Sequence, residues 1–237
     1  MGFTKCYLSV LCSVIFLIAS QNCLYGQGFI EHQPGSWFVL SGNTKIHEHW
    51  SIPTVAIIKN NTIWENYGFS CIRTGASFNL NASSTFTGGV AFLNLSSYTD
   101  AASPKNSSQF WIYGDYSFKY KLRKGSIAQR WRLENCRKIH AKGAHATNRM
   151  RYRLQYTRPL YKSVYFKCHN EIILNLEGAT FNQNRLFIGM GQNLTPSLKM
   201  DIGYLNRQFA TSSEDMIQLG ISFNIDLTKK DLALASD

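Results

Sequence analysis

The residues best suited to chemistry in this 237-residue chain are charged side chains spaced two apart. They are Arg130, Arg132 and Glu134; Arg149, Arg151 and Arg153; and Lys167, His169 and Glu171. Arg185 and the set Lys199, Asp201 and Arg207 extend the series. Spacing by two puts each set on one face of an extended strand. The sets come from five consecutive candidate strands, so they become neighbours across a ladder. Guanidinium groups facing carboxylates make charge-assisted pairs that fill a narrow interior and satisfy one another. Basic residues here outnumber acids nine to three. Such a surplus in a confined space favours anions, as basic rings do in anion-selective pores.

Catalysis asks for more than charge. A hydrolase needs a nucleophilic hydroxyl, a histidine base and an orienting group in mutual contact. His169 lies well inside a strand, with Glu171 two residues along on the same face. The serine in that segment, Ser163, is six residues away, about 20 Å in an extended chain. His47 and His49 flank Glu48 in a turn, an arrangement too common to indicate a metal. Beyond the leader the cysteines are Cys71, Cys136 and Cys168, too scattered for a disulfide framework or a zinc site. Cys168 falls on the apolar face of its strand and reads as a small hydrophobe. We therefore expect no catalytic residue, no cofactor and no metal. A lipid-modifying enzyme is the alternative, with His169 and Glu171 beside a hydroxyl near a membrane rim.

The elements that must position these groups show in the alternation itself. In RMRYRLQYT, the residues Arg149, Arg151, Arg153 and Gln155 oppose Met150, Tyr152, Leu154 and Tyr156. In MIQLGISFNIDL, polar or small Gln218, Gly220, Ser222 and Asn224 oppose Ile217, Leu219, Ile221 and Phe223. Period-two runs predict strands near 36–43, 47–58, 66–79, 83–93, 108–122, 125–136, 147–158, 161–176, 180–192, 197–209 and 215–227. No helical pattern of useful length intervenes. The repeat, about 17 to 20 residues, exceeds the ~8–12 usual in soluble sandwiches and suits strands that cross a membrane at a tilt. Short connections (LNASS, LRKGS, TRPLYK, NLTPS) alternate with longer ones, as in outer-membrane barrels. The strands at 83–93, 125–136, 161–176 and 197–209 then run outward. Single-chain barrels of this kind have even strand numbers, so ten or twelve are expected rather than the eleven candidates.

Alternation leaves open which face is wet, since a lipocalin-like secreted barrel shows the same pattern turned inside out. Aromatic residues capping the apolar face (Phe110, Tyr116, Phe118, Tyr120, Tyr152, Tyr156) and a small, neutral polar face favour lipid outside. Lys5 followed by the apolar CYLSVLCSVIFLIAS and polar QNCLYGQ has the order of a secretory leader, cut near Gln27. That gives a leader at 1–27 and a single barrel domain at 28–237, placed in a cell's outer membrane. Lys and Arg number 25 against 14 Asp and Glu, a net charge of +11. These charges alternate with apolar residues and the chain is exported, so nucleic acid is not the expected partner. The expected partners are outer-membrane lipid, lipopolysaccharide and the barrel-assembly machinery. The basic loop from Asn135 to Arg149, with Arg137, Lys138, His140, Lys142 and His145, offers charge to lipopolysaccharide phosphates or to a surface partner. The N-x-S/T triplets at Asn60, Asn81, Asn94, Asn106 and Asn193 sit largely in Asn- and Ser-rich turns.

Several segments also carry a resemblance. WRLEN at 131–135, RMRYRLQYTRPL at 149–160, HNE at 169–171, FNQNRLFIGMG at 181–191 and DIGYLNRQF at 201–209 occur in that order. Together they resemble the bacterial outer-membrane family of unknown function numbered 2490, common in Bacteroidetes-type bacteria. The resemblance is strongest over 125–227, with GSWFVLSGNTKI near 35–46 like the family's opening. It implies a leader and an antiparallel membrane barrel, and it brings no established activity. The tail TKKDLALASD departs from the terminal aromatic residue common in outer-membrane barrels.

Overall fold

The computed structural model describes residues 34–97, 105–139 and 146–228. The chain forms β1 (Gly35–Lys45), β2 (Trp50–Asn60), β3 (Tyr67–Asn79), β4 (Ser84–Ser97), β5 (Lys105–Leu122) and β6 (Gly125–Lys138). It continues with β7 (Ala146–Tyr161), β8 (Val164–Asn175), β9 (Phe181–Asn193), β10 (Leu198–Gln208) and β11 (Ser213–Asp226). Each strand pairs with the next in antiparallel register, and β1 pairs with β11, so one all-β sheet closes into a barrel.

The barrel has eleven strands, not the ten or twelve expected. Successive strands of a meander reverse direction, so an odd number leaves the first and last running the same way. The seam is accordingly parallel, in unbroken register from Gly35↔Met216 to Lys45↔Asp226. Trp37–Ser41 belongs to a full barrel strand. Parallel pairing is slightly weaker per residue than antiparallel pairing, and the seam's eleven residue pairs equal the eleven between β10 and β11.

Connections sort by end. At one end, the turn end, they span 46–49, 80–83, 123–124, 162–163 and 194–197; at the other, the loop end, 61–66, 98–104, 139–145, 176–180 and 209–212. The connection after Asn94 is shorter than expected, because β4 and β5 pair out to Ser97↔Lys105. Lys162 takes φ 47° in its two-residue turn, the left-handed conformation that tight hairpins need. The proposed leader with Cys6, Cys12 and Cys23, the loop residues His140, Lys142 and His145, and the tail after Thr228 lie outside the described residues.

The two faces differ throughout. Outward go Ile58, Ile72, Phe92, Ile112, Leu133, Ile188, Ile202 and Ile217, all exposed, with Leu133 at 59% and Ile72 at 57%. Inward go the charged residues of β6 to β10 and a set of large apolar residues. Two inward tyrosines lie across a neighbouring strand, each on a glycine. The Tyr165 ring covers Gly191, its partner in the ladder, and a Cβ there would sit 2.3 Å from the ring. Tyr113 covers Gly89 in the same way, at 2.6 Å. Gly191→Val should therefore displace Tyr165 and destabilise the barrel by about 1–3 kcal/mol. A lowered urea midpoint measures this, and Gly88→Val, where a Cβ meets nothing within 4 Å, should cost less.

Candidate functional site

Pairing brings the charged sets together as the ladder requires. Arg130 faces Arg153, Arg132 faces Arg151, and Glu134 faces Arg149 across β6 and β7. On the other side of β7, Arg153 faces Glu171, and Glu171 faces Arg185 across β8 and β9. Three arginines side by side would repel one another. Buried carboxylates between them turn the repulsion into a belt.

Asp115 accepts from Arg132 at 2.5 and 2.6 Å, a two-pronged pair. Glu134 accepts from Arg151 at 2.8 Å and from Arg149 at 2.7 Å. Glu171 accepts from Arg151 at 2.7 Å and from Arg130 at 2.5 Å, with Arg185 at 3.8 Å. The belt continues through Gln183, whose Oε1 accepts from Arg185 at 3.0 Å and from Arg207 at 3.2 Å. Glu214 then accepts from Arg207 at 2.6 Å and from Lys59 at 2.8 Å, across the seam. One connected network thus runs from β5 round to β2. Lys167 and Asp201 form a separate pair at 3.0 Å.

The opposite wall is apolar. Trp37, Phe187, Leu205 and Met216 make one buried cluster, packed by Val39, Ile57 and Phe69; Cys71, Ala91 and Leu93 make a second, beside Trp111. Arginine planes cover the aromatic edges of this wall. Arg185 and Arg207 lie over Trp37 at 5.3 and 5.2 Å, and Arg149 over Trp111 at 4.3 Å. Such cation–π contacts let a guanidinium sit beside hydrocarbon. Belt and clusters together crowd the half of the lumen towards the loop end.

Between them, and on towards the turn end, the lumen is hollow. A cavity of about 390 Å³ is lined on one side by Arg130, Arg151, Arg153, Lys167 and His169, and on the other by Val39, Val55, Ile57 and Phe69, with Arg73 among them. A second, of about 660 Å³, lies at the turn end among Lys45, His49, Asn81 and Lys119. Arg130 and Arg153 line both. Four arginine nitrogens are buried without a hydrogen-bond partner (Nε of Arg130, Arg149 and Arg151, and Nη1 of Arg132), as is Nδ1 of His169.

All the charged residues of the alternating sets lie on the inner face, but they do different things. Arg130, Arg132, Glu134, Arg149, Arg151, Glu171, Arg185 and Arg207 form the belt. Arg153 makes no hydrogen bond or ion pair within the described residues and lines the hollow. Lys199 is half-buried and likewise has no ion pair there. His169 stacks on Phe187 with ring centroids 5.1 Å apart, and Glu171 is engaged by arginines instead of orienting it. His49 meets the Asn79 carbonyl at 3.1 Å. Among the described residues no three His, Cys, Asp or Glu come together to hold a metal. Sequence reasoning missed Asp115, Glu214, Gln183 and Lys59. Parity could have found Asp115, which is in phase with Ser117 and out of phase with Tyr116 on the apolar face.

Fold and lumen define a class: a closed, meandering β-barrel with an apolar outer wall and a charged interior. The chain belongs to the family described as protein of unknown function (DUF2490), whose model matches residues 34–218. That match takes in β1 to β5 as well as the segments that carried the resemblance. No curated protein matches the chain.

Glu171 holds Arg130 and Arg151 from a side chain only 5% exposed. Glu171→Gln should cost roughly 3–5 kcal/mol, because it strands buried guanidinium charge. Lys199→Gln should stay within about 0.5 kcal/mol. Equilibrium unfolding of both variants measures the contrast.

Proposed function

We propose that the chain is an integral outer-membrane barrel, without catalytic chemistry, whose interior is filled towards the loop end and hollow towards the turn end. The observation that carries this reading is the outer wall. Its outward-facing strand residues include just three charged side chains among the described residues, Arg137, Arg158 and Asp215, all near strand ends. Exposed apolar surface on that scale belongs against lipid rather than water. On β11 the apolar positions run from Ile217 to Ile225. At ~3.3 Å per residue and a tilt of about 40°, that gives a band of about 20 Å, close to the ~25 Å apolar band of outer-membrane barrels.

Both edges of the band support the same placement. Aromatic pairs gather towards the turn end: Trp50 with Phe78, Phe86 with Tyr116, and Phe118 with Tyr120. Amides fringe the loop end, where Asn135 donates to Asn148 and Asn206 to Asp215, each at 2.8 Å. Such groups suit the wet boundary of a bilayer. With the short turns in the periplasm, β4, β6, β8 and β10 run outward, and the loop end meets lipopolysaccharide.

Between a filled interior and passive anion passage, the geometry favours the filled interior. An ion crossing the loop half has to break the belt around Glu134 and Glu171. Against catalysis stands the engagement of Glu171, which leaves His169 without an orienting carboxylate.

Expressed with its leader in a Gram-negative host, the protein should appear in outer membranes and migrate differently on gels before and after boiling. An unshifted, soluble periplasmic protein would sink the reading. Ile202→Arg, at the middle of the band, should destabilise the bilayer-embedded barrel by about 2–4 kcal/mol, read from unfolding in vesicles. In planar bilayers the wild-type protein should give no steady conductance.

A further inference from the structure

The hollow below the belt has two chemically opposite walls, and this points to an occupant. One wall presents Arg130, Arg153 and His169, brought side by side by the pairings Arg130↔Arg153 and Gln155↔His169. Two nitrogens of this wall, Arg130 Nε and His169 Nδ1, are buried and have no hydrogen-bond partner. Arg153 adds a guanidinium that no carboxylate pairs within the described residues. The facing wall presents hydrocarbon from Val39, Val55 and Ile57, with Arg73 beside Val55 holding its guanidinium over the Tyr113 ring. A small inorganic anion would satisfy the first wall and leave the second idle. An alkane or sterol would do the reverse.

We infer that the lower lumen is a binding site for a single-chain amphiphile with an anionic head. Its carboxylate or phosphate is held by Arg153, Arg130 Nε and His169 Nδ1, and its hydrocarbon tail lies on Val39, Val55 and Ile57. The cavity, about 390 Å³, falls within the range of small-molecule sites. Access is from the turn end, through the larger cavity that shares Arg130 and Arg153. The head-group donors cost little to recruit: Arg153 breaks no ion pair, and the two orphaned nitrogens gain the partner that burial denies them. The inference rests on the barrel reading for the direction of access, and on the lumen geometry alone for the site.

The test uses the folded full-length protein in lipid nanodiscs, titrated calorimetrically with decanoate, decyltrimethylammonium and inorganic phosphate against empty nanodiscs. Decanoate should bind saturably, one per chain, while the cationic amphiphile and phosphate bind far more weakly. Arg153→Gln should weaken decanoate about tenfold, the loss of one charge-assisted contact. Val55→Trp, which fills the tail side, should remove binding. Phosphate binding as tightly as decanoate, with Val55→Trp harmless, would overturn the amphiphile in favour of a free anion. Equal binding of the two amphiphiles, or no saturable binding by protein that still shows the gel shift, would overturn the site. A protein recovered soluble would be titrated in buffer, so the membrane reading can fail while the site stands.

Discussion

Four carboxylates, Asp115, Glu134, Glu171 and Glu214, set the terms for this barrel. Arg130, Arg132, Arg151 and Arg153 occupy one patch of lumen, and unshielded their mutual repulsion in a space of low dielectric would be severe. Glu171 and Glu134 each bind two guanidinium groups, and Asp115 takes a third from the side. These contacts tie β5, β6, β7 and β8 at one height, and Gln183 and Glu214 carry the tie through β9 to β11. The backbone ladder alone fixes which strands are neighbours. The belt adds a preferred registry between strands that are not neighbours, such as β6 with β8 through Arg130 and Glu171.

The uneven distribution of these charges has its own logic. β1 to β4 contribute few ionisable groups to the interior and most of its hydrocarbon, and the reverse holds for β5 to β8. Where the two walls meet, aromatic faces mediate: Trp37 under Arg185 and Arg207, Trp111 under Arg149, Tyr113 under Arg132. The loop half of the lumen can therefore be densely packed even though its walls differ in polarity. The turn half has no such mediating rings between Arg153 and Val55, and there the cavity remains.

Much of this was legible in the sequence, for a physical reason. Period-two alternation sends every second side chain to one face, so RMRYRLQYT alone assigns Arg151 inward and Tyr152 outward. The resemblance likewise pointed to the family. Strand number was harder to read, because the even-number expectation assumes an antiparallel seam, and nothing local to β1 or β11 announces a parallel one. The apolar half of the lumen was also hidden. Trp37, Phe187 and Leu205 share a face with polar residues, and alternation by itself cannot distinguish a buried cluster from lipid contact. The carboxylate partners lay outside the search for the opposite reason: Asp115 and Glu214 are isolated acids on their strands, and only the ladder shows what they meet.

The bond from Lys59 to Glu214 joins positions 155 residues apart. It cannot form until the first and last strands have met. Until then Lys59 lacks its carboxylate, and Trp37 lacks the arginines that cover it. Sealing the seam and completing the belt thus coincide. A barrel built this way gains much of its cohesion at the last step, and contacts so distant in sequence make that step slow. An incomplete sheet would leave Trp37 uncovered and the backbone groups of both seam strands unpaired, so closing satisfies side chains and main chain together.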